Sequence, residues 1–505
     1  MQDNFEPFKF ETGKTKKYIV SRIFLAIFMF IGILGFFSAR WYNMIYGDVG
    51  AESVIFSVFA GVGGVQEGLV NGWLINGLLP SVFVTLLGIF VFLFVPFLLY
   101  KGRDEERFEH SRKIASVLAF ASFLFPFAHA FCAIGLDKWT YNLLAETKIY
   151  EEEYVEPDSV KVSFPQNKRN LIYIYLESME TTFFSEELGG DLKENTIPEL
   201  YELAASNTNF SQNSKVGGGR SPYGTTWTIG AMISHTAGIP MRAPVSVNAA
   251  FSRKFYNGTT TINNILKENG YNQAVMVGSD AQYGGRKEYF LQHGVDAVYD
   301  IKTAYDDGIV PSGYFHWWGM EDKHLFSYAK KKLTQMSSGD KPFAFTLLTV
   351  DTHHVDGYKC SECEDEFGEQ YKNVLACSSR QVSAFVEWIK QQDFYENTTI
   401  VITGDHPTMD YQFVKHNTEE RYIRRIYNCF INAVPSAENS KNREFLSFDM
   451  FPTTLAAMGC KIQGERLGLG TNLFSGSKTL TEKYGYDYVE SEIAKRSDYY
   501  NRKFD

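Results

Sequence analysis

The sequence predicts an α/β protein: N-terminal transmembrane helices, then a domain with a mostly parallel central sheet flanked by helices. Three observations lead there. Long apolar runs crowd the first 136 residues of a 505-residue chain. Beyond them, short apolar, β-branched runs alternate with stretches of helical periodicity, the pattern of buried parallel strands joined by helices. Each of four such runs passes directly into carboxylates or histidines, where open α/β sheets bind their ligands.

The membrane part comes first in the chain. Tyr18–Ala39, Leu78–Tyr100 and Ile114–Leu136 each reach the roughly 20 apolar residues that span a bilayer. The second and third contain no Asp, Glu, Lys or Arg, and the first contains only Arg22, one turn from its start, where a long side chain can snorkel. A cleaved secretory signal is the competing reading of the first run, but no small-residue cleavage site follows and two further spans do. Lys9, Lys14, Lys16, Lys17 and Arg22 precede span one, and Lys101, Arg103, Arg107, Arg112 and Lys113 lie between spans two and three. The loop between spans one and two sets Arg40 against Asp48, Glu52 and Glu67. The positive-inside rule then places the N-terminus and the 101–113 loop in the cytoplasm and everything after Leu136 outside. The expected protein is a multi-pass cell-membrane protein with an extracytoplasmic domain. The Gly-rich stretch Ala51–Ile75 reads equally as an amphipathic helix on the membrane face or as a loop packed on the spans.

Charge agrees with this division. Of 49 basic and 59 acidic residues, 11 and 10 fall in residues 1–136, leaving 38 and 49 for the remainder. That acidic balance excludes a general nucleic-acid binder, which carries a basic stripe. The 45% hydrophobic content excludes a disordered chain.

Residues 137–169 read as a polar linker, with EEEYVEPD and Pro165 before a basic KRN. Residues 170–505 form the expected soluble domain. Its strands are LIYIYL (171–176), QAVMVG (273–278), AFTLLTV (344–350) and TIVITG (399–404), and helical periodicity appears at 196–206, 259–268, 322–333, 379–391 and 449–458. There are no internal repeats. Six cysteines are too few for a disulfide framework. Cys360, Cys363 and Cys377 cluster, and outside the cytosol they suit one disulfide, Cys377 with Cys360 or Cys363. A zinc site is the rival reading there, without an obvious fourth ligand. Cys132 lies in span three, and Cys429 and Cys460 read as buried thiols.

The strand ends carry the chemistry. They supply Glu177, Asp280, Asp351, His353, Asp405 and His406. One carboxylate after a strand is ordinarily a cap or turn former, but four with two histidines point to one crevice. Carboxylates and imidazoles suit a hard or borderline divalent cation such as Mn²⁺, Mg²⁺ or Zn²⁺. Such a cation activates an oxygen nucleophile and neutralises phosphoryl oxygens. A nucleophile is offered by the glycine-rich loop of KVGGGRSPYGTTWTIGAM (215–232), where Thr225 precedes an apolar helical pattern whose N-terminus suits an anion. The competing reading makes Thr225 or Thr226 an N-cap. Ser221 is a weaker candidate.

In this order the motifs NLIYIYLES (170–178), GTTWTIGAM (224–232), GRKEYFLQHG (285–294), LTVDTHHVDGY (348–358) and ITGDHPTMD (402–410) resemble the sulfatase-like branch of the alkaline phosphatase superfamily. Within it they are similar to the lipoteichoic acid synthase and phosphoglycerol transferase family. The tail FDMFPTTLAAMGC with RLGLGTNLFSG (448–476) extends the resemblance over about residues 165–476. DTHHVDG and GTTWTIG look closer to phosphoglycerol transferases that decorate glycans than to lipoteichoic acid synthases proper. The resemblance implies an alkaline-phosphatase/sulfatase-like domain. It implies that Glu177, Thr225, Asp405 and His406 hold one cation, usually Mn²⁺, and that Thr225 is the nucleophile. It further implies that His353 and Arg286 contact the substrate phosphate, with Tyr283 and Asp280 lining a glycerol pocket. Two departures bear on the acceptor more than on the chemistry. There are three spans where lipoteichoic acid synthases have five, and YGGR (283–286) lacks the Trp and Asn those synthases place before the Arg. Sulfatases proper carry a modifiable Cys or Ser in C/S-x-P-x-R, so Thr225 argues against sulfate-ester chemistry.

The expected activity is transfer of glycerol phosphate from phosphatidylglycerol to an extracytoplasmic glycan or glycolipid through a phospho-threonine intermediate. The alternatives are a phosphoethanolamine transferase or a phosphodiesterase of the same fold, and a lipid-binding scaffold without metal.

Overall fold

The computed structural model describes residues 12–47, 50–60, 67–100, 105–242, 255–436 and 438–504. It divides into two units, Met1–Gly50 with Val65–Lys138, and Ala51–Gly64 with Trp139–Asp505. Of the orientation residues, Lys9, Asp48, Lys101 and Arg103 lie outside the described residues, as does 61–66 of the Gly-rich stretch.

The first unit holds three helices long and apolar enough to cross a membrane, over Val20–Tyr46, Gly68–Phe92 and Glu109–Ala133. The helix Thr12–Tyr46 packs along Glu105–Ala133. A Cβ on Gly32 would meet the Phe123 carbonyl oxygen at 2.5 Å, so the glycine permits the close helix approach typical of membrane packing. Phe28 meets Phe123 edge-on at 5.3 Å. Arg22 does not simply snorkel, since its Nη1 donates to Ser116 Oγ at 3.1 Å. The second apolar helix begins ten residues before the expected Leu78. Its glycines and asparagines lower the apolar density of the sequence without breaking the helix, which is continuous from Glu67 with π-type turns at Leu74–Leu78 and Ile89–Phe94.

The second unit is built on a six-stranded sheet. Its strands are β1 (Asn170–Leu176), β2 (Asn272–Val277), β3 (Ala297–Tyr299), β4 (Phe343–Leu348), β5 (Thr398–Gly404) and β6 (Asn428–Ile431), in the spatial order β3-β2-β4-β1-β5-β6. Every pairing is parallel except β5 with β6. The four expected strands are present within two residues of their expected ends. β1 is buried along its whole length, because both faces of the sheet are covered. Leu171, Tyr173 and Tyr175 face a core shared with the helices Thr228–Ala237, Ile262–Glu268 and Met450–Ala457. Ile172, Ile174 and Leu176 face the opposite core, shared with Pro198–Ser206, Asp322–Ser337 and Gln370–Lys390. At such positions truncation to alanine costs about 2–5 kcal/mol.

Two expectations need correction. Of the expected linker, residues 137–169, those from Trp139 onward belong to the second unit. They form the short helix Ile149–Glu153, and Tyr150 is buried in the core and donates to the Ile493 carbonyl at 2.9 Å. The acidic EEE that suggested a linker is the solvent side of that helix, and Glu153 pairs with Arg466 at 2.7 Å. The segment Ala51–Ala60 is helical and belongs to this second unit, where Glu52 accepts a hydrogen bond from the Tyr223 hydroxyl.

Candidate functional site

The chain lays β2 and β3 to one side of β1, returns through β4 beside β1, and crosses to β5 on the other side. The reversal creates a crevice at the carboxyl ends of β4, β1 and β5. The parallel register pairs Leu176 with Gly404, so the next residues, Glu177 and Asp405, emerge side by side. Gly404 is required there, since a Cβ would lie 1.8 Å from the Met179 carbonyl oxygen. Ser178 sits at φ 56°, in the left-handed region that costs a non-glycine residue energy. That turn aims its N–H at Asp405 Oδ1 (2.9 Å) and its hydroxyl at Glu177 Oε1 (2.9 Å). The His406 N–H also donates to Asp405 Oδ1, at 2.7 Å.

His406 Nδ1–H donates to the Pro407 carbonyl at 2.9 Å, which fixes the ring and leaves Nε2 facing Glu177 Oε1 at 3.6 Å and Asp405 Oδ2 at 3.4 Å. Asp405 Oδ2 is buried and accepts no hydrogen bond among the described residues. Burial, and then the neighbouring Asp405 carboxylate, push Glu177 up to about 8. Two buried carboxylates and an imidazole nitrogen bring their ligand atoms within 4.8 Å of one another. The donor set fits a hard or borderline divalent cation.

The threonine loop reaches this cluster. Thr228 Oγ1 donates to Glu177 Oε2 at 3.4 Å. Thr225, fully buried three residues earlier, donates from N and Oγ1 to the Pro222 carbonyl, at 3.0 and 2.7 Å. Gly224, at φ 75°, makes the turn before it, and a Cβ there would meet the Met241 carbonyl oxygen at 2.2 Å. The helix that follows begins at Thr228. Its N-cap is Trp227, with no side-chain cap. The N-cap reading of Thr225 and Thr226 is therefore set aside, and the first N–H groups of this helix are open to an anion. Ser221 Oγ, in the same loop, is buried without a hydrogen-bond partner among the described residues.

Arg286 is buried at the edge of the crevice. Consecutive glycines at positive φ, Gly284 (67°) and Gly285 (74°), turn the chain so that its guanidinium points inward. It donates to Ser279 Oγ (2.9 Å), the Asp280 carbonyl (2.8 Å) and the Tyr283 carbonyl (3.1 Å). The Asp280 carboxylate pairs with Lys302 at 2.7 Å and accepts from the Gln282 N–H at 2.9 Å, so it is the Asp280 main chain that meets Arg286. Asp351 also stands apart from the three-ligand cluster. Its N–H donates to Asp322, and its Oδ2 is buried without a hydrogen-bond partner among the described residues.

His353 Nδ1–H donates to the His354 carbonyl at 2.8 Å. Burial, then His354, hold its imidazole well below the ordinary range, with smaller contributions from His406 and Arg286. Sequence reasoning missed what holds this ring. Trp318 packs against it at 4.0 Å and against Tyr283 at 5.5 Å. Trp317, at φ 59°, donates its indole N–H to the His353 carbonyl at 3.0 Å. The Trp318 indole N–H is buried without an acceptor among the described residues. The available signal was the aromatic run YFHWWG (314–319), which follows no helical or strand period.

Comparison with known proteins fits this geometry. The sulfatase family's sequence model matches residues 169–460. The chain belongs to the sulfatase family. Among its curated relatives, phosphoglycerol transferase I of Escherichia coli (strain 55989 / EAEC) is 31% identical over 282 residues, covering 54% of this chain and 34% of its own length. Phosphoglycerol transferase I of Citrobacter koseri matches to the same extent. This sulfatase-family chain thus spans about a third of the length of those relatives. Among solved structures, the lipoteichoic acid synthase LtaP of Listeria monocytogenes is 18% identical, with a TM-score of 0.49 over 63% of this chain and 79% of the other.

Proposed function

We propose that the chain is a membrane phosphoglycerol transferase, moving glycerol phosphate from phosphatidylglycerol to an extracytoplasmic glycan or glycolipid. The reading is carried by one juxtaposition: a threonine loop at an uncapped helix N-terminus, held by Thr228 against Glu177 of a buried metal-type cluster. The matched relatives are phosphoglycerol transferases by name.

Glu177, Asp405, His406 and Thr225 Oγ1 would hold one divalent cation, Mn²⁺, which supplies charge neutralisation and lowers the pKa of a bound hydroxyl. Thr225 Oγ1 attacks the phosphorus of the lipid headgroup, and the bond to the diacylglycerol oxygen breaks. Diacylglycerol stays in the membrane while the threonine carries glycerol phosphate. An acceptor hydroxyl then attacks the same phosphorus, and Thr225 leaves. Arg286, fixed by three hydrogen bonds, stabilises the equatorial phosphoryl oxygens without reorganising. His353, whose Nδ1–H is committed to a carbonyl, offers Nε2 as a station for the proton passing from the nucleophile to the leaving oxygen. Tyr283 and Trp318 form the wall against which the glycerol packs. The apolar helices would tether this site to the donor bilayer, and the basic residues flanking them support a site outside the cell.

The test uses the full chain in vesicles of phosphatidylglycerol or phosphatidylethanolamine, following diacylglycerol release with and without Mn²⁺. Metal-dependent release from phosphatidylglycerol is expected. Preference for phosphatidylethanolamine would make the chain a phosphoethanolamine transferase. Free glycerol phosphate, formed even when a glycan acceptor is supplied, would make it a phosphodiesterase.

A further inference from the structure

The expected disulfide among Cys360, Cys363 and Cys377 is not formed, and all three are thiols. Cys360 Sγ lies 3.5 Å from Cys363 Sγ and 3.9 Å from Cys377 Sγ, so it stands between two sulfurs and is bonded to neither. One ligand atom from each falls within 4.8 Å of the others. A disulfide holds its sulfurs about 2.05 Å apart and uses only two of them. Thiolates on a tetrahedral metal with bonds of about 2.3 Å stand about 3.8 Å apart, close to both measured separations.

The local backbone has the form such a site needs. Cys360-Ser-Glu-Cys363 folds as a tight knuckle, with the Cys363 N–H donating to the Cys360 carbonyl at 3.1 Å and the Glu362 N–H donating to Cys360 Sγ at 3.4 Å. Cys377 comes from the buried side of the helix Gln370–Lys390. One turn on, the Gln381 amide donates to Cys377 Sγ at 3.3 Å and to Cys360 Sγ at 3.8 Å. N–H donors directed at sulfur favour thiolate over thiol and orient it. Cys360 and Cys377 are buried and Cys363 is half-buried, which leaves the fourth ligand position on the solvent side.

We propose that Cys360, Cys363 and Cys377 form a three-thiolate site for Zn²⁺, separate from the carboxylate–imidazole cluster. The fourth position is open to water or an external ligand. Soft sulfur donors select a different ion from the oxygen-rich crevice. The site ties the loop after β4, which carries His353, to the helix Gln370–Lys390. It does not depend on the transferase reading.

The test is made on the full chain purified without reductant. Metal content, disulfide mapping by mass spectrometry and the spectrum after Co²⁺ exchange are measured on wild type, Cys363→Ser, Cys377→Ser and Asp405→Asn. The expected result is one equivalent of zinc in wild type and Asp405→Asn, lost in both cysteine variants. A thiolate-to-cobalt charge-transfer band should follow the same pattern, because the carboxylate–imidazole cluster contains no sulfur. Half-buried Cys363 keeps the test open if Cys377→Ser does not fold. A disulfide between any two of the three in wild type would overturn the proposal. So would a zinc content and cobalt spectrum unchanged by Cys363→Ser.

Discussion

Glu177 and Asp405 are buried together with opposing needs. Each carboxylate is desolvated, and each repels the other. Without a cation the pair would be a cost to the fold, and with one it would be a strong ligand set. Glu177→Gln or Asp405→Asn should therefore stabilise the metal-free protein, by about 1–2 kcal/mol. Either change should also abolish the rise in melting temperature that Mn²⁺ gives the wild type. Thermal unfolding with and without chelator measures both effects. Variants that melt lower without metal and still respond to it would show that these carboxylates are not the ligands. Thr225 is held differently, by two hydrogen bonds to Pro222 and no capping role. Thr225→Ala should lower transfer by at least about a thousandfold, as removal of a nucleophile does. Thr226→Ala should leave it nearly unchanged.

At the scale of elements, the site depends on turns that tolerate few residues. Gly404→Ala would drive a Cβ into the Met179 carbonyl and push β1 and β5 apart at their catalytic ends. It should cost about 1–3 kcal/mol by denaturant unfolding and lower activity disproportionately, because Glu177 and Asp405 separate. The aromatic loop is the other such element. Trp318→Ala removes the surface behind His353 and should lower kcat/KM about tenfold with little loss of metal affinity. Equal loss of both would mean that the loop supports the fold and not the ring.

These elements were unequally legible in the sequence. The four long strands announced themselves because a strand buried on both faces is apolar throughout, and its polar terminus then marks the crevice. β3 escaped because it has three half-buried residues between a turn glycine and the Asp300 cap. β6, NCFI, is too short and begins with an asparagine whose side chain accepts from the Phe210 N–H and donates to its carbonyl. The helix expected at 379–391 begins at Gln370, because its first three turns bury Asn373, Ser378 and Ser379 along with apolar residues and so lack a clean stripe. Glu177, Asp405 and His406 were legible as strand-end residues. Trp317 and Trp318 were not, since a loop has no period and only the fold brings it to His353.

At the scale of the whole molecule, apolar helices and a sulfatase-family domain on one chain support the proposed lipid donor. If the basic flanks of those helices face the cytoplasm, as proposed, a protease added to intact spheroplasts should release a fragment of roughly 350 residues. A protected fragment would reverse the orientation. The central claim is that Thr225 carries the headgroup between donor and acceptor. It is tested most directly by incubating the full chain with phosphatidylglycerol vesicles and Mn²⁺ without acceptor, then measuring the mass of the peptide that contains Gly224–Thr228. The account predicts one added glycerol phosphate on Thr225, absent in Thr225→Ala and in Asp405→Asn. An adduct on Thr226 or Ser221, or turnover of the lipid by Thr225→Ala, would contradict it.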